Sequence, residues 1–203
     1  MKNKQLSNFW QGKVNGLIVS RLNHGLHSNP DAKRVKMLNE DLENEFGKGG
    51  NDKAPENQNS LNRLMKLRTF RTLNKAAGGK DDVNFVDSSW SEDGASAQFM
   101  TLIESKGELY IGSNNGFISI YRSAFSSYRE TAGILIHEFG HAISRNRSYF
   151  ANYYKRYNNW NKAIACDEVF AYGFQDRYGF SFYQPGSKLY LPGSQRAFTK
   201  LTN

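Results

Sequence analysis

The chain has 203 residues, of which 38% are hydrophobic and 14% aromatic, so it holds enough apolar surface for a folded core and is not expected to be disordered. Its formal net charge is +8, and a single cysteine, Cys166, excludes both an internal disulfide framework and a cysteine-rich zinc finger. No apolar run approaches the roughly 20 residues of a membrane-spanning helix, and no apolar signal-peptide segment follows the basic N-terminus. The sequence therefore predicts a cytoplasmic chain, or one delivered by another route or excised from a longer protein.

The first 82 residues are basic, with 15 Lys and Arg against 9 Asp and Glu. Apolar residues at helical spacing predict three helices in this segment, over 7–22, 30–46 and 60–76. Asn29 is the expected N-cap of the second helix and Pro30 its first residue, while the polar stretch 48–59 predicts a linker or surface loop. We expect residues 1–82 to form a basic helical appendage or lid, followed by a separate domain over 83–203.

After residue 83 the residue pattern changes from one typical of helices to one typical of strands. Three short segments rich in β-branched and aromatic residues predict an antiparallel meander, with strands over 97–105, 108–112 and 116–121. Ser127 and Glu130 have the spacing of a capping box, which predicts a helix that runs to about Arg145. An aromatic stretch over 149–160 and a further helix over 161–178 follow. The expected fold class is therefore α+β, with a small antiparallel or mixed sheet followed by the two helices.

The first of these C-terminal helices contains the sequence His137-Glu138-Phe139-Gly140-His141, an H-E-x-x-H motif. Histidines four residues apart lie on one helix face, so both imidazoles can converge on one cation. Glu138 lies about 100° around the helix from His137, where it can reach a metal-bound water and act as a general base.

A chance pentapeptide or a hydrogen-bonded polar cluster in the core is the alternative interpretation of this motif. Apolar residues surround the motif on nearly every side, so the helix is expected to be buried. Burying one carboxylate and two imidazoles without partners would cost several kcal/mol, whereas a divalent cation satisfies all three. The pattern therefore favours a metal site.

Two histidines leave a catalytic zinc site one protein ligand short. The helix predicted over 161–178 carries three candidates for this third ligand. Glu168 is favoured, because it shares a helix face with the small residue Ala171. Asp176 and Asp167 are the alternatives, and an ordinary surface carboxylate is the interpretation without a metal.

The motif resembles the signature of the zincin metallopeptidases, and a downstream helix with Glu168 before Ala171 and Tyr172 is similar to the gluzincin branch. This resemblance implies a zincin-like fold in which His137, His141 and Glu168 bind Zn²⁺, while Glu138 polarises the water and shuttles its proton. It also implies a protein or peptide substrate that lies extended along an edge strand. The aspartate branch of the family is matched less well, because residues 173–179 are one residue short and lack its threonine.

A basic chain of about 200 residues with this catalytic core is also similar to the C-terminal metallopeptidase toxin domains of Rhs-type polymorphic toxins. That resemblance implies that residues 1–82 are the junction with a larger protein or part of a lid. It further implies an immunity or inhibitor protein as a partner.

Several other residues are candidates for chemistry. Tyr172 is the favoured hydrogen-bond donor to the oxyanion of a tetrahedral intermediate, with Tyr178 and Tyr190 as alternatives. Cys166 could act as a nucleophile partnered by His141, although its apolar neighbours favour inert packing. A second metal site at 24–27, where two histidines have H-x-x-H spacing, is less expected than ordinary surface histidines.

The rival function is a basic, non-catalytic module that docks on nucleic acid or an acidic partner and holds a structural metal. The aromatic stretch over 149–160 is more typical of core and surface residues than of a stacking platform for bases, so nucleic acid is the less expected partner. A second rival keeps the catalytic zinc but hydrolyses a bond other than a peptide bond.

Overall fold

The computed structural model describes residues 31–79, 82–92, 94–101 and 116–180. The predicted helix over 7–22, the predicted strand over 108–112, His24, His27 and Tyr190 lie outside the described residues. Within the described ranges the expected α+β class is confirmed: N-terminal helices precede a three-stranded mixed sheet, and further helices follow it.

Three helices make up the described N-terminal part: α1 (Ala32–Phe46), α2 (Gln58–Lys66) and α3 (Arg68–Ala77), with a 3-10 turn at Lys48–Gly50 after α1. The predicted helix over 30–46 is present, but Asp31 is its N-cap. The Asp31 side chain accepts a hydrogen bond from the Lys33 N–H, so the expectation of a cap at Asn29 was wrong.

The single helix predicted over 60–76 is two helices, because the chain breaks at Leu67, whose backbone is extended (φ −64°, ψ 145°). The break is stabilised by a contact from α1. The Asp41 carboxylate accepts hydrogen bonds from the Thr69 N–H at 2.7 Å and the Thr69 hydroxyl at 2.6 Å. This contact satisfies an N–H in the first turn of α3, where a helix has no internal acceptor.

The sheet has three strands, β1 (Asp82–Val86), β2 (Ala97–Thr101) and β3 (Gly116–Tyr121), in the order β1-β3-β2. β2 pairs antiparallel with β3, and β1 pairs parallel with β3. The sheet is therefore mixed, which is one of the two expected forms. The predicted meander placed the strand over 108–112 between β2 and β3, so it was wrong about this direct pairing. The side-chain amide of Gln58 covers the outer edge of β1, where it bonds the Val83 carbonyl and the Phe85 N–H.

Three helices follow the sheet: α4 (Tyr128–Asn146), α5 (Tyr149–Tyr157) and α6 (Trp160–Asp176). The Ser127 hydroxyl accepts from the Glu130 N–H at 3.1 Å, which confirms the predicted N-cap of α4. The aromatic stretch after α4 is helical over α5, although its composition did not predict a helix. The predicted helix over 161–178 corresponds to α6.

Helix α4 lies in the centre of the core and is buried on most of its surface. Its apolar side chains join one hydrophobic cluster with the sheet and with the N-terminal helices, and the Phe70 and Phe139 rings in this cluster are 6.3 Å apart. Among the described residues no helix is long and apolar enough to cross a membrane. The division of the chain into domains at residue 82 stays a prediction.

Helices α4 and α6 approach each other closely at Gly140, the fourth residue of the motif. A Cβ atom at Gly140 would lie 2.8 Å from the Ala171 Cα and 3.1 Å from its Cβ. Backbone cannot yield as a flexible side chain can, so glycine is required for the observed spacing of the two helices. This spacing sets how near the side chains of α6 come to those of α4.

We expect Gly140→Ala to destabilise the fold by about 1–3 kcal/mol, because the added methyl group forces α6 away from α4. Metal affinity should fall in parallel, since Glu168 moves with α6. Urea denaturation and a zinc competition assay measure the two effects. Gly173→Ala on α6 is the matched control, because a Cβ there has no neighbour within 4 Å; it should be neutral or slightly stabilising. Equal effects of the two variants would contradict this account.

Candidate metal centre

Two histidines one turn apart on α4 bring their imidazoles together. The Nε2 atoms of His137 and His141 are 3.2 Å apart, and their ring centroids are 4.9 Å apart with the planes at 82°. Only 12% and 11% of the two side-chain surfaces are exposed. The convergence follows from local helix geometry, since residues four apart occupy one face.

The carboxylate of Glu168 on α6 completes the group. Its Oε2 atom lies 3.4 Å from the His137 Nε2, and its Oε1 atom lies 3.6 Å from the His141 Nε2. One ligand atom from each of the three residues lies within 4.8 Å of the others, so the group could hold a metal ion. Two imidazoles and a carboxylate are a known ligand set of catalytic zinc, although imidazole also binds copper, iron and nickel.

The chemistry of the donor atoms fits a cation. The His141 Nδ1 lies 2.7 Å from the Asp167 Oδ2, and a carboxylate only accepts hydrogen bonds, so the hydrogen of the neutral ring lies on Nδ1. In the neutral ring, the His141 Nε2 then presents a lone pair to the His137 Nε2 and to the oxygens of Glu168. A divalent cation between these lone pairs converts a repulsive arrangement into ligation.

The charges around the two rings also favour a bound cation. In the metal-free protein burial lowers the pKa of His141, but the hydrogen bond and charge of Asp167, with the charges of Glu138 and Glu168, raise this pKa to about 9 overall. Three carboxylates therefore surround two imidazoles. Their excess negative charge attracts a proton when no metal is bound, and it would equally attract a divalent cation.

Glu138 lies beside this group and is 5% exposed. Burial raises the pKa of its carboxyl, an effect that the nearby His137 and His141 oppose. The carboxyl also accepts a hydrogen bond from the backbone N–H of Phe99 on β2. Glu138 is not a member of the ligand group. It therefore lies next to the candidate metal position, on the side of β2.

Tyr172 lies one turn beyond Glu168 on α6. Its ring centroid is 4.3 Å from that of His137, with the planes at 55°. The ring thus packs against a candidate ligand, and the structure brings Tyr172 into the same site as the motif. Tyr178, the described alternative, packs instead against Phe174, with the Arg34 guanidinium over its ring.

The alternative third ligands have other positions. Asp167 bonds the Nδ1 of His141, on the opposite side of the ring from the Nε2 that faces the ligand group. Asp176 is not a member of the ligand group either. Cys166 is hydrogen-bonded to Tyr157, and burial raises the pKa of its thiol, so it does not have the environment of an activated nucleophile.

Asp176 gives a prediction of its own, because burial at the end of α6 raises the pKa of its carboxyl from 3.8 to about 6. Between these pH values the folded chain binds more protons than the unfolded chain, so stability falls as the pH rises. Asp176→Asn removes this penalty. Allowing for solvent screening of a half-buried group, we expect a gain of about 1–2 kcal/mol at pH 8 that falls to a few tenths of a kcal/mol at about pH 4.

Urea denaturation of the metal-free protein at pH 4 and pH 8 measures this difference. Asp82→Asn is the control, since the Asp82 side chain is exposed and the change should alter stability by less than about 0.5 kcal/mol. An equal gain for Asp176→Asn at both pH values would contradict the assignment.

Sequence reasoning missed two contributors to this site. The Phe99 N–H reaches Glu138, and the Ser144 hydroxyl bonds Asp167. Asp167, an alternative ligand in the sequence analysis, bonds the His141 Nδ1 and is not a member of the ligand group. Only Ser144 carries a local signal, because it follows His141 by three residues and so lies near it on α4. All three contacts join residues that are distant in sequence, so the partner could not be predicted in any of them.

Comparisons with known proteins add no assignment to this geometry. No protein-family model matches the chain, and searches of curated proteins and of solved structures find no match either. The resemblance to zincins therefore depends on the motif and on the arrangement of His137, His141 and Glu168.

Proposed function

We propose that the chain is a zinc-dependent metallopeptidase. The observation that carries the proposal is the position of Glu168, which reaches both motif imidazoles from a different helix. A motif that occurred by chance would have no reason to attract a carboxylate from 27 to 31 residues away in the sequence. Glu138, the residue that the resemblance assigns as the base, lies beside the group without joining it.

In this proposal His137, His141 and Glu168 hold the zinc. When bound, zinc would supply Lewis-acid polarisation of the scissile carbonyl and would lower the pKa of the attacking water toward about 7. The Glu138 carboxylate accepts the proton of that water and then donates it to the leaving amine. The hydrogen bond from the Phe99 N–H orients the carboxylate for both transfers.

Tyr172 is the proposed donor to the oxyanion that forms at the substrate carbonyl. Its ring packs against the ring of His137. This contact holds the Tyr172 side chain, and with it the hydroxyl, at the site. The substrate would be a protein or peptide in extended conformation. Within the described sheet β2 is an edge strand, and its Phe99 lies next to Glu138, so β2 is the strand along which such a chain would pair.

The test is hydrolysis by the purified full chain. Metal analysis should find about one zinc per chain, and incubation with a mixture of peptides should produce new termini detectable by mass spectrometry. A chelator should stop the cleavage and added zinc should restore it. A folded, zinc-loaded chain that cleaves no peptide but hydrolyses esters or other amides would overturn the peptidase assignment and favour a different hydrolase.

The same purified protein tests the rival function. A basic binding module with a structural metal would bind DNA, RNA or an acidic protein with strong salt dependence and show no zinc-dependent cleavage. Export within a larger effector and an immunity or inhibitor protein as partner stay predictions from the resemblance to toxin domains.

A further inference from the structure

Ser144 is a fully buried residue on α4, three residues after His141. Its hydroxyl donates a hydrogen bond to the Asp167 Oδ1 on α6. The other carboxylate oxygen of Asp167, Oδ2, accepts from the His141 Nδ1 at 2.7 Å. Each oxygen of this carboxylate therefore has a partner on α4, and one of these partners is a candidate metal ligand.

This use of a serine hydroxyl is unusual within a helix. Ser and Thr inside helices commonly donate to the carbonyl oxygen four residues earlier. Thr131, also fully buried on α4, does this: its hydroxyl bonds the Ser127 carbonyl at 2.8 Å and the Ala124 carbonyl at 2.9 Å. Ser144 instead directs its hydroxyl across the helix interface to a carboxylate.

We infer that Ser144 is a positioning residue of the metal site. Its hydroxyl fixes the rotation of the Asp167 carboxylate, and Asp167 in turn fixes the tautomer and the ring orientation of His141. The inference rests on the proposed metal site. The motif would then extend from H-E-x-x-H to H-E-x-x-H-x-x-S. Asp167 connects the serine to the ligand, because its carboxylate bonds both Ser144 and His141.

Two features of the surroundings give this contact its importance. Only 13% of the Asp167 side chain is exposed, so water cannot readily replace a missing donor. Among the described residues the buried Nδ1 of His137 has no hydrogen-bond partner, so the support of the ligand rings by a carboxylate is concentrated on His141. A carboxylate that is free to rotate would hold the His141 ring less well, and ligand rings that are less well held bind metal more weakly.

The experiment compares Ser144→Ala with the matched control Thr131→Val in the full chain. Both variants remove a buried hydroxyl from α4, but only the first removes a bond to Asp167. We expect Ser144→Ala to weaken zinc binding about 10-fold in a competition assay with a chromophoric chelator. The visible spectrum of the Co²⁺-substituted protein should also change. Thr131→Val should leave both unchanged, whatever its effect on thermal stability.

A double-mutant cycle shows whether Ser144 acts through Asp167. In the Asp167→Ala background, Ser144→Ala should have little further effect on zinc affinity, because the link is already gone. If Asp167→Ala does not fold, NMR of the metal-free Ser144→Ala protein shows instead whether the loss of the hydroxyl affects His141. The signal of the His141 Nδ1–H proton should shift or broaden in this variant and not in Thr131→Val.

Zinc affinity and a Co²⁺ spectrum that are the same in Ser144→Ala and Thr131→Val would overturn the inference. So would additive losses in the double-mutant cycle, or an unchanged Nδ1–H signal. These readouts do not require turnover. If the chain binds zinc without cleaving peptides, the peptidase proposal fails while the role of Ser144 is still tested.

Discussion

The Glu138→Gln variant is expected to bind zinc as the wild-type chain does. Its rate of peptide hydrolysis should be lower by about 100-fold or more. Glutamine has the shape of glutamate, and its side-chain oxygen can still accept the Phe99 N–H, so the site should keep its geometry. The amide cannot accept the proton of the attacking water. Because Glu138 is buried and the replacement is neutral, the fold should not be destabilised by this change.

Single-turnover cleavage of a peptide found in the initial screen measures the rate, and metal analysis of the same sample measures zinc. Glu56→Gln is the control, since this glutamate forms an exposed ion pair with Lys53 away from the motif, and it should retain full activity. Undiminished hydrolysis by Glu138→Gln would remove Glu138 from the mechanism. Loss of zinc together with activity would show that Glu138 contributes to metal binding instead.

The His137→Ala variant is expected to lose both zinc and activity. The change removes one of three protein ligands, so zinc affinity should fall by more than the 10- to 100-fold typical of losing an outer hydrogen-bond partner. With a ligand set reduced to His141 and Glu168, the variant should not retain stoichiometric metal after dialysis against a chelator. Competition with a chromophoric chelator gives the affinity directly.

His24→Ala is the matched control for this variant. It tests the alternative metal site at 24–27, and it should leave the zinc content at its wild-type value. A His137→Ala protein that still binds one zinc per chain would count against the ligand assignment. Zinc loss in His24→Ala with retention in His137→Ala would move the metal site to the N-terminal segment.

Much of the candidate site follows from local sequence. The i, i+4 spacing of His137 and His141 determines that the rings converge on any α-helix, and the Ser127 cap marks where that helix begins. The apolar residues around the motif predict its burial, which the structure confirms. These features depend on contacts within one or two helical turns, which is why periodicity and capping patterns are sufficient to predict them.

The departures from the predicted fold have non-local causes. The break at Leu67 coincides with Asp41, a residue of α1, bonding Thr69, and no pattern within 60–76 contains that information. The parallel pairing of β1 with β3 depends on how the chain crosses over between them. The helicity of α5 was missed because tyrosine and asparagine are weak helix formers, and the helix is stabilised by aromatic contacts with α6, such as the Tyr149–Phe170 pair at 5.3 Å.

The sequence by itself determined the α+β class, the motif helix and the convergence of its two imidazoles, because these depend on short-range patterns within single helices and strands. Only the tertiary structure decided the roles of the carboxylates, since neighbouring residues on α6 point in directions about 100° apart. At the distance set by Gly140, this rotation brings Glu168 to the Nε2 atoms and Asp167 to the Nδ1 of His141. Which acid faces the metal position is therefore a property of the packing of α6 against α4.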